Sequence, residues 1–123
     1  MRFLTDRKMA EGLGSAQSGV HHHWSMILSS VALLVLIPIF IFTFGSILGA
    51  PHAEVVAYFS RPFPAIVAAL TLIVGLRHFA GGCQVMIEDY VHGLARKVTI
   101  LLMYCLSYAA MAAGVFAIAR LAL

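Results

Sequence analysis

Charge is scarce in this chain. Of its 123 residues only 11% are Asp, Glu, Lys or Arg, against about a quarter in a soluble domain. That is too little polar surface to cover a water-soluble core. With 62% hydrophobic residues and a mean hydropathy of +0.97, the composition indicates one small integral membrane domain. The eight Lys and Arg give a net charge of +3, but they are scattered, with no basic stripe or aromatic platform, so nucleic acid is excluded as a partner. Cysteine is scarce too. Cys83 and Cys105 lie in apolar stretches and form no CxxC or Cys/His pattern, which excludes a disulfide framework or cysteine-bound metal and leaves small buried packing residues as the expectation. The first 23 residues hold no apolar h-region, so no cleaved secretory signal is expected. Internal repeats, low-complexity tracts and a GxGxxG loop are missing as well.

What is present is long apolar runs. A spanning helix needs about 20 mainly apolar residues, and three stretches qualify: Trp24 to Ile47, Pro64 to Ile87 and Val98 to Leu121. The expected fold is therefore an all-α membrane protein with three transmembrane helices, residues 24–123, behind an N-terminal segment, residues 1–23. Pro38 should kink the first span unless neighbouring groups satisfy the freed carbonyl. The first loop, punctuated by Gly49, Pro51, Pro62 and Pro64, has room for a short interfacial helix. The second is brief, with Gly93 suited to a tight turn, so the last two helices should be antiparallel neighbours. Arg2, Arg7, Lys8, Arg96 and Lys97 flank one side of the spans, Arg61 and Arg120 the other. The positive-inside rule then places the amino terminus in the cytoplasm and the carboxyl terminus in the periplasm.

The middle span is polar where it should not be, in the stretch RHFAGGCQVMIEDYVH, residues 77–92. On a helix, an offset of 11 residues returns to within about 20° of the starting direction, so Asp89 shares a face with His78, about 16 Å further along the axis. Gly75, Gly82 and Val85 share that face and Gly81 borders it. An ionisable group inside a span costs on the order of 3 kcal/mol and points to function. His78 can hydrogen-bond a neighbouring helix, or it can be an axial ligand of haem iron beside bare glycine surface that admits a flat macrocycle. Arg77 can snorkel to a headgroup, or pair with a haem propionate. Asp89 and Tyr90 can mark the interface belt, or supply a proton route and a hydrogen-bond donor to a quinone. Glu88 and His92, spaced i, i+4, can extend that route or form a solvated salt bridge.

His78, a glycine four residues on, and Asp89-Tyr90 before a short basic loop and a third apolar helix resemble the small membrane-anchor subunits of succinate dehydrogenase (respiratory complex II). The segment SAQSGVHHHW resembles that family's pre-membrane Gly-x-x-His region, and the likeness covers nearly the whole chain. The resemblance implies a heterodimer with a second membrane-anchor subunit, the two holding one haem b between them with an axial His from each, here His78. It implies a ubiquinone site near the cytoplasmic face, with Tyr90 hydrogen-bonding a quinone oxygen and Asp89 beside it. Electrons would come from succinate through FAD and iron–sulfur clusters on a flavoprotein subunit and an iron–sulfur subunit, in the bacterial inner membrane. Many relatives carry an Arg in the first turns of helix one, where this sequence has Ile27; Arg77 would take over part of that task, toward a propionate, with Gly82 packing against the haem. Ser29 and Ser30 nearby are expected to pack or back-bond to their own helix. Three adjacent side chains, His21, His22 and His23, point different ways and cannot all chelate one ion; one of them near the quinone mouth or a propionate is the expectation.

Two alternatives remain on sequence grounds. One is a fumarate reductase anchor working with menaquinone. The other is a non-redox transporter or assembly subunit with His78, Asp89 and Glu88 as a proton relay, although inverted repeats and broken helix pairs are missing.

Overall fold

The computed structural model describes residues 5–12 and 18–123. Among these residues the secondary structure is entirely helical: α1 (Asp6–Glu11), α2 (Ser18–Gly45), α3 (His52–Phe59), α4 (Pro62–Tyr90) and α5 (Gly93–Ala122). Short α1 starts at Thr5, whose Oγ1 accepts the Lys8 N–H at 3.3 Å, a side-chain N-cap. Three helices are long and apolar enough to cross a bilayer, over Gly19–Gly45, Pro62–Tyr90 and Gly93–Ala122.

α4 and α5 run past their apolar stretches at both ends, whereas α2 runs past its own at the N-terminal end and stops at Gly45, two residues short of Ile47. α2 begins in the polar SGVHHH segment, α4 continues through Glu88, Asp89 and Tyr90, and α5 starts at Gly93 and carries Arg96 and Lys97 in its first turns. Hydropathy reports the hydrocarbon, whereas backbone hydrogen bonding persists into the interface. α2 stays helical through Pro38. Its hydroxyls follow the expectation for polar groups in lipid: Ser30 Oγ donates to Met26 O at 2.9 Å and Thr43 Oγ1 to Ile39 O at 2.5 Å.

The first loop does hold a helix. α3 follows Pro51 and is tied to α2 by Tyr58 Oη donating to Thr43 O at 3.0 Å, and to the end of α5 by its C-cap residue, Ser60, whose Oγ donates to Leu121 O at 3.2 Å. Phe59 is buried there with Ile47 and Ala68, against Phe40, Ile118 and Leu121. At that end of the molecule α2, α4 and α5 surround a cavity of about 540 Å³ walled by Phe40, Phe44, Leu72 and Ile118 among others.

α4 is the middle helix. It packs on α2 on one side and on α5 on the other, while the α2 and α5 backbones do not meet among the described residues. Between α4 and α5 only Val91 and His92 are outside a helix, and Gly93 turns the chain with φ +66°, a conformation that costs a residue with a Cβ about 1–2 kcal/mol. Helix contacts are made through small residues, as lipid-embedded helices require: a Cβ on Gly81 would stand 2.5 Å from Met26 Sδ, and one on Gly114 would run into the Leu72 side chain. The glycine stripe of α4 therefore seats α2: Gly75 faces Leu33, and both Gly81 and Gly82 face Met26. Both cysteines are free; Cys83 is half-buried, whereas Cys105 is exposed on the outside of α5 rather than buried in packing.

Candidate functional site

α4 is unbroken from Pro62 to Tyr90, so His78 and Asp89 lie within about 20° of each other on it, separated by about 16 Å. His78 sits at the seam with α2. Its Nδ1 is 2.9 Å from Ser29 Oγ, and among the described residues its Nε2 makes no hydrogen bond. The ring lines a groove of about 470 Å³ whose other walls are α2 residues, including Leu33, Leu34, Ile37 and Pro38.

Arg77, a residue away, reaches in two directions. Its Nη2 approaches Ser25 Oγ at 3.4 Å on α2, and its Cζ lies 5.9 Å from the centroid of the Tyr104 ring on α5. It thus holds a guanidinium between the helices, two residues from Ile27 on the α2 side. Among the described residues no carboxylate pairs with it, so its charge inside the membrane is offset by a hydroxyl and a ring face only.

Of the three consecutive histidines His22 alone is turned inward; His21 and His23 are exposed. His22 Nε2 is buried and has no hydrogen-bond partner among the described residues. The missing Cβ of Gly81 would be 3.6 Å from both Arg77 Nη1 and His22 Cε1, so a cation and an unsatisfied ring nitrogen converge one turn above His78. An orphaned buried polar atom of this kind calls for a ligand or water. Among the described residues no three His, Cys, Asp or Glu side chains gather into a chelating site.

Asp89 and Tyr90 are both exposed at the end of α4, Tyr90 to 80%, and enclose no cavity among the described residues. Glu88 does not pair with His92. Its Oε1 accepts from Gln84 Nε2 at 2.8 Å, and Gln84 Oε1 in turn accepts from Tyr104 Oη at 2.8 Å. His92 precedes the first residue of α5 and lies outside both helices, so the helical i, i+4 geometry does not extend to it.

Sequence reasoning brought out His78, Arg77, Gly82, Asp89 and Tyr90. It missed Gln84 and Tyr104, which form the polar link to α5, and gave Ser29 only a local hydrogen bond. A polar residue two turns from Arg77 on the same helix was the available signal for Gln84; nothing local announces that Tyr104 is its partner.

The succinate dehydrogenase/fumarate reductase transmembrane subunit family matches residues 1–118. The succinate dehydrogenase hydrophobic membrane anchor subunit of Paracoccus denitrificans is 47% identical over 123 residues, covering 100% of this chain and 95% of that protein. No solved structure matches the chain. Three spanning helices, a deep imidazole and a match along nearly the whole length agree: this chain belongs to the succinate dehydrogenase/fumarate reductase transmembrane subunit family.

Proposed function

We propose that this chain is the anchor subunit that co-ligates haem b and forms part of the ubiquinone site of a succinate:ubiquinone oxidoreductase in a bacterial inner membrane, with its amino terminus in the cytoplasm. The observation that carries this reading is the His78 ring: an imidazole inside a spanning helix, lining a groove, with one nitrogen bonded to Ser29 and the other left without a protein partner among the described residues. A histidine serving only to join helices would be satisfied by that join.

The donor set suits a haem. His78 Nε2 would hold the iron, and Arg77 with His22 Nε2 would form a cationic, polar corner for propionate carboxylates. Gly82, facing Met26, lets α2 pack close beside them. Bound haem supplies a one-electron store between the iron–sulfur clusters and the quinone. A second membrane-anchor subunit would share in holding the haem. FAD and the iron–sulfur clusters reside on the flavoprotein and iron–sulfur subunits that the pair docks to the lipid bilayer. At the rim, Tyr90 donates its O–H to one quinone carbonyl and Asp89 relays a single proton toward that oxygen; the second proton of the two-electron reduction goes to the other carbonyl oxygen.

The test is the visible spectrum of the purified complex. With His78→Ala, low-spin haem is expected to disappear while flavin still co-purifies. A full complement of low-spin haem in that variant removes His78 from the iron.

A further inference from the structure

Resting on the reading of His78 as the haem ligand, we propose that Ser29, on the other helix, is a positioning residue that fixes the tautomer and rotation of the His78 ring so that Nε2 carries the lone pair. Ser29 Oγ stands 2.9 Å from each of three atoms: Ser25 O, Met26 O and His78 Nδ1. A hydroxyl has one proton to give and two lone pairs to receive with. The two carbonyls can only accept. The proton of Ser29 therefore goes to them, and the ring must be the donor, Nδ1–H to Oγ.

The opposite arrangement fails on a hydrogen-bond count. If the hydroxyl donated to Nδ1, it would leave both carbonyls, and the ring proton would move to Nε2, where no described residue accepts it. One hydrogen bond would replace two, and an N–H donor would be stranded in an apolar groove, which is costly. The back-bond of Ser29 to its own helix thus sets the proton position on a ring 49 residues away in the chain. Ser30 does not compete for the ring, since its hydroxyl bonds Met26 O alone among the described residues.

Such a contact does more than hold the ring. A hydrogen bond from the non-ligating nitrogen makes an imidazole a stronger donor to its metal and fixes its plane. Stronger donation favours ferric over ferrous iron, so α2, which contributes no ligand, would lower the midpoint potential of the haem through Ser29.

The test compares the assembled complex carrying Ser29→Ala, Ser29→Thr or His78→Ala, reading the haem-to-flavin ratio, the low-spin electron paramagnetic resonance signal and the haem midpoint potential. In S29A the expectation is haem retention weaker by about 10–100-fold, with the potential shifted upward and the g-values altered. S29T, which keeps the hydroxyl and its back-bond, should restore all three. A merely structural serine would leave potential and g-values where they were. If S29A fails to assemble, Ser29→Cys, similar in size but a weak acceptor, is expected to show the same upward shift. An unchanged potential and signal in S29A or S29C, with H78A lacking low-spin haem, overturns the role of Ser29 and leaves the ligand standing. Retention of low-spin haem in H78A overturns both.

Discussion

Arg77 and Tyr104 meet across the seam between α4 and α5, the guanidinium carbon 5.9 Å from the centre of the ring. In the same side chain the phenol donates to Gln84 at 2.8 Å. One tyrosine therefore serves a cation with its ring and an amide with its hydroxyl.

The two functions of Tyr104 separate by substitution. Tyr104→Phe keeps the ring and loses the hydrogen bond, at about 0.6 kcal/mol for an interhelical bond in lipid. Tyr104→Leu also removes the cation–π contact, for roughly 2 kcal/mol more at a desolvated site. The thermal unfolding midpoint of the solubilised complex should fall in the order wild type, Phe, Leu. Equal midpoints for the two variants would mean that the ring does nothing for Arg77.

Arg77 should give opposite signs in two assays. Replacing it by Leu removes a charge costing about 3 kcal/mol at a helix centre, so insertion of the chain should improve. If Arg77 pairs with a propionate as proposed, haem retention should fall, and His22→Ala should reduce it by a smaller step. Haem-to-flavin ratios that match the wild type in Arg77→Leu would place the propionates elsewhere.

Tyr90→Phe is an unusually clean variant, because Tyr90 is 80% exposed and makes no hydrogen bond among the described residues. Stability should not change. Succinate-dependent ubiquinone reduction should drop by about 2–10-fold, in line with one lost neutral hydrogen bond, while electron delivery to a soluble dye is unaffected. A quinone rate equal to the wild type would remove the phenol from the pocket.

Two glycines that look alike in the sequence should behave differently. At Gly81 an added methyl meets Met26, an unbranched side chain that can swing aside. At Gly114 it meets the branched end of Leu72 from three atoms at once. Gly114→Ala should therefore cost about 1–3 kcal/mol, more than Gly81→Ala, and Leu72→Ala should rescue the first. The check is a double-mutant cycle on assembly of the complex.

The large-scale fold was legible because bilayer thickness and the cost of bare backbone in lipid leave few choices once three apolar runs are found. The α4–α5 hairpin followed from a link too short to do anything else, and Gly93 from its turn. Helix ends were less legible: α2 starts in SGVHHH because a backbone already hydrogen-bonded gains nothing by stopping at the edge of the hydrocarbon. In the site, periodicity put His78 and Asp89 on one stripe. It could not tell that Glu88 turns back to Gln84, since the helix stops at Tyr90 and leaves His92 outside. Nor could it give His78 its serine or Arg77 its tyrosine. Those pairs depend on the axial register of one helix against another, and register is settled by where Met26 and Leu72 find glycine, a fit between distant stretches that no single stretch encodes.

With α4 in the middle and its two neighbours kept apart, the half of the molecule around His78 is a raft one helix thick. A raft has faces but no interior, so most apolar positions answer only to lipid or to whatever lies alongside. Over evolutionary time Leu, Ile, Val and Phe on those faces should exchange freely with one another. The slow-changing positions should trace two thin seams, the glycines and the few polar atoms that meet across them.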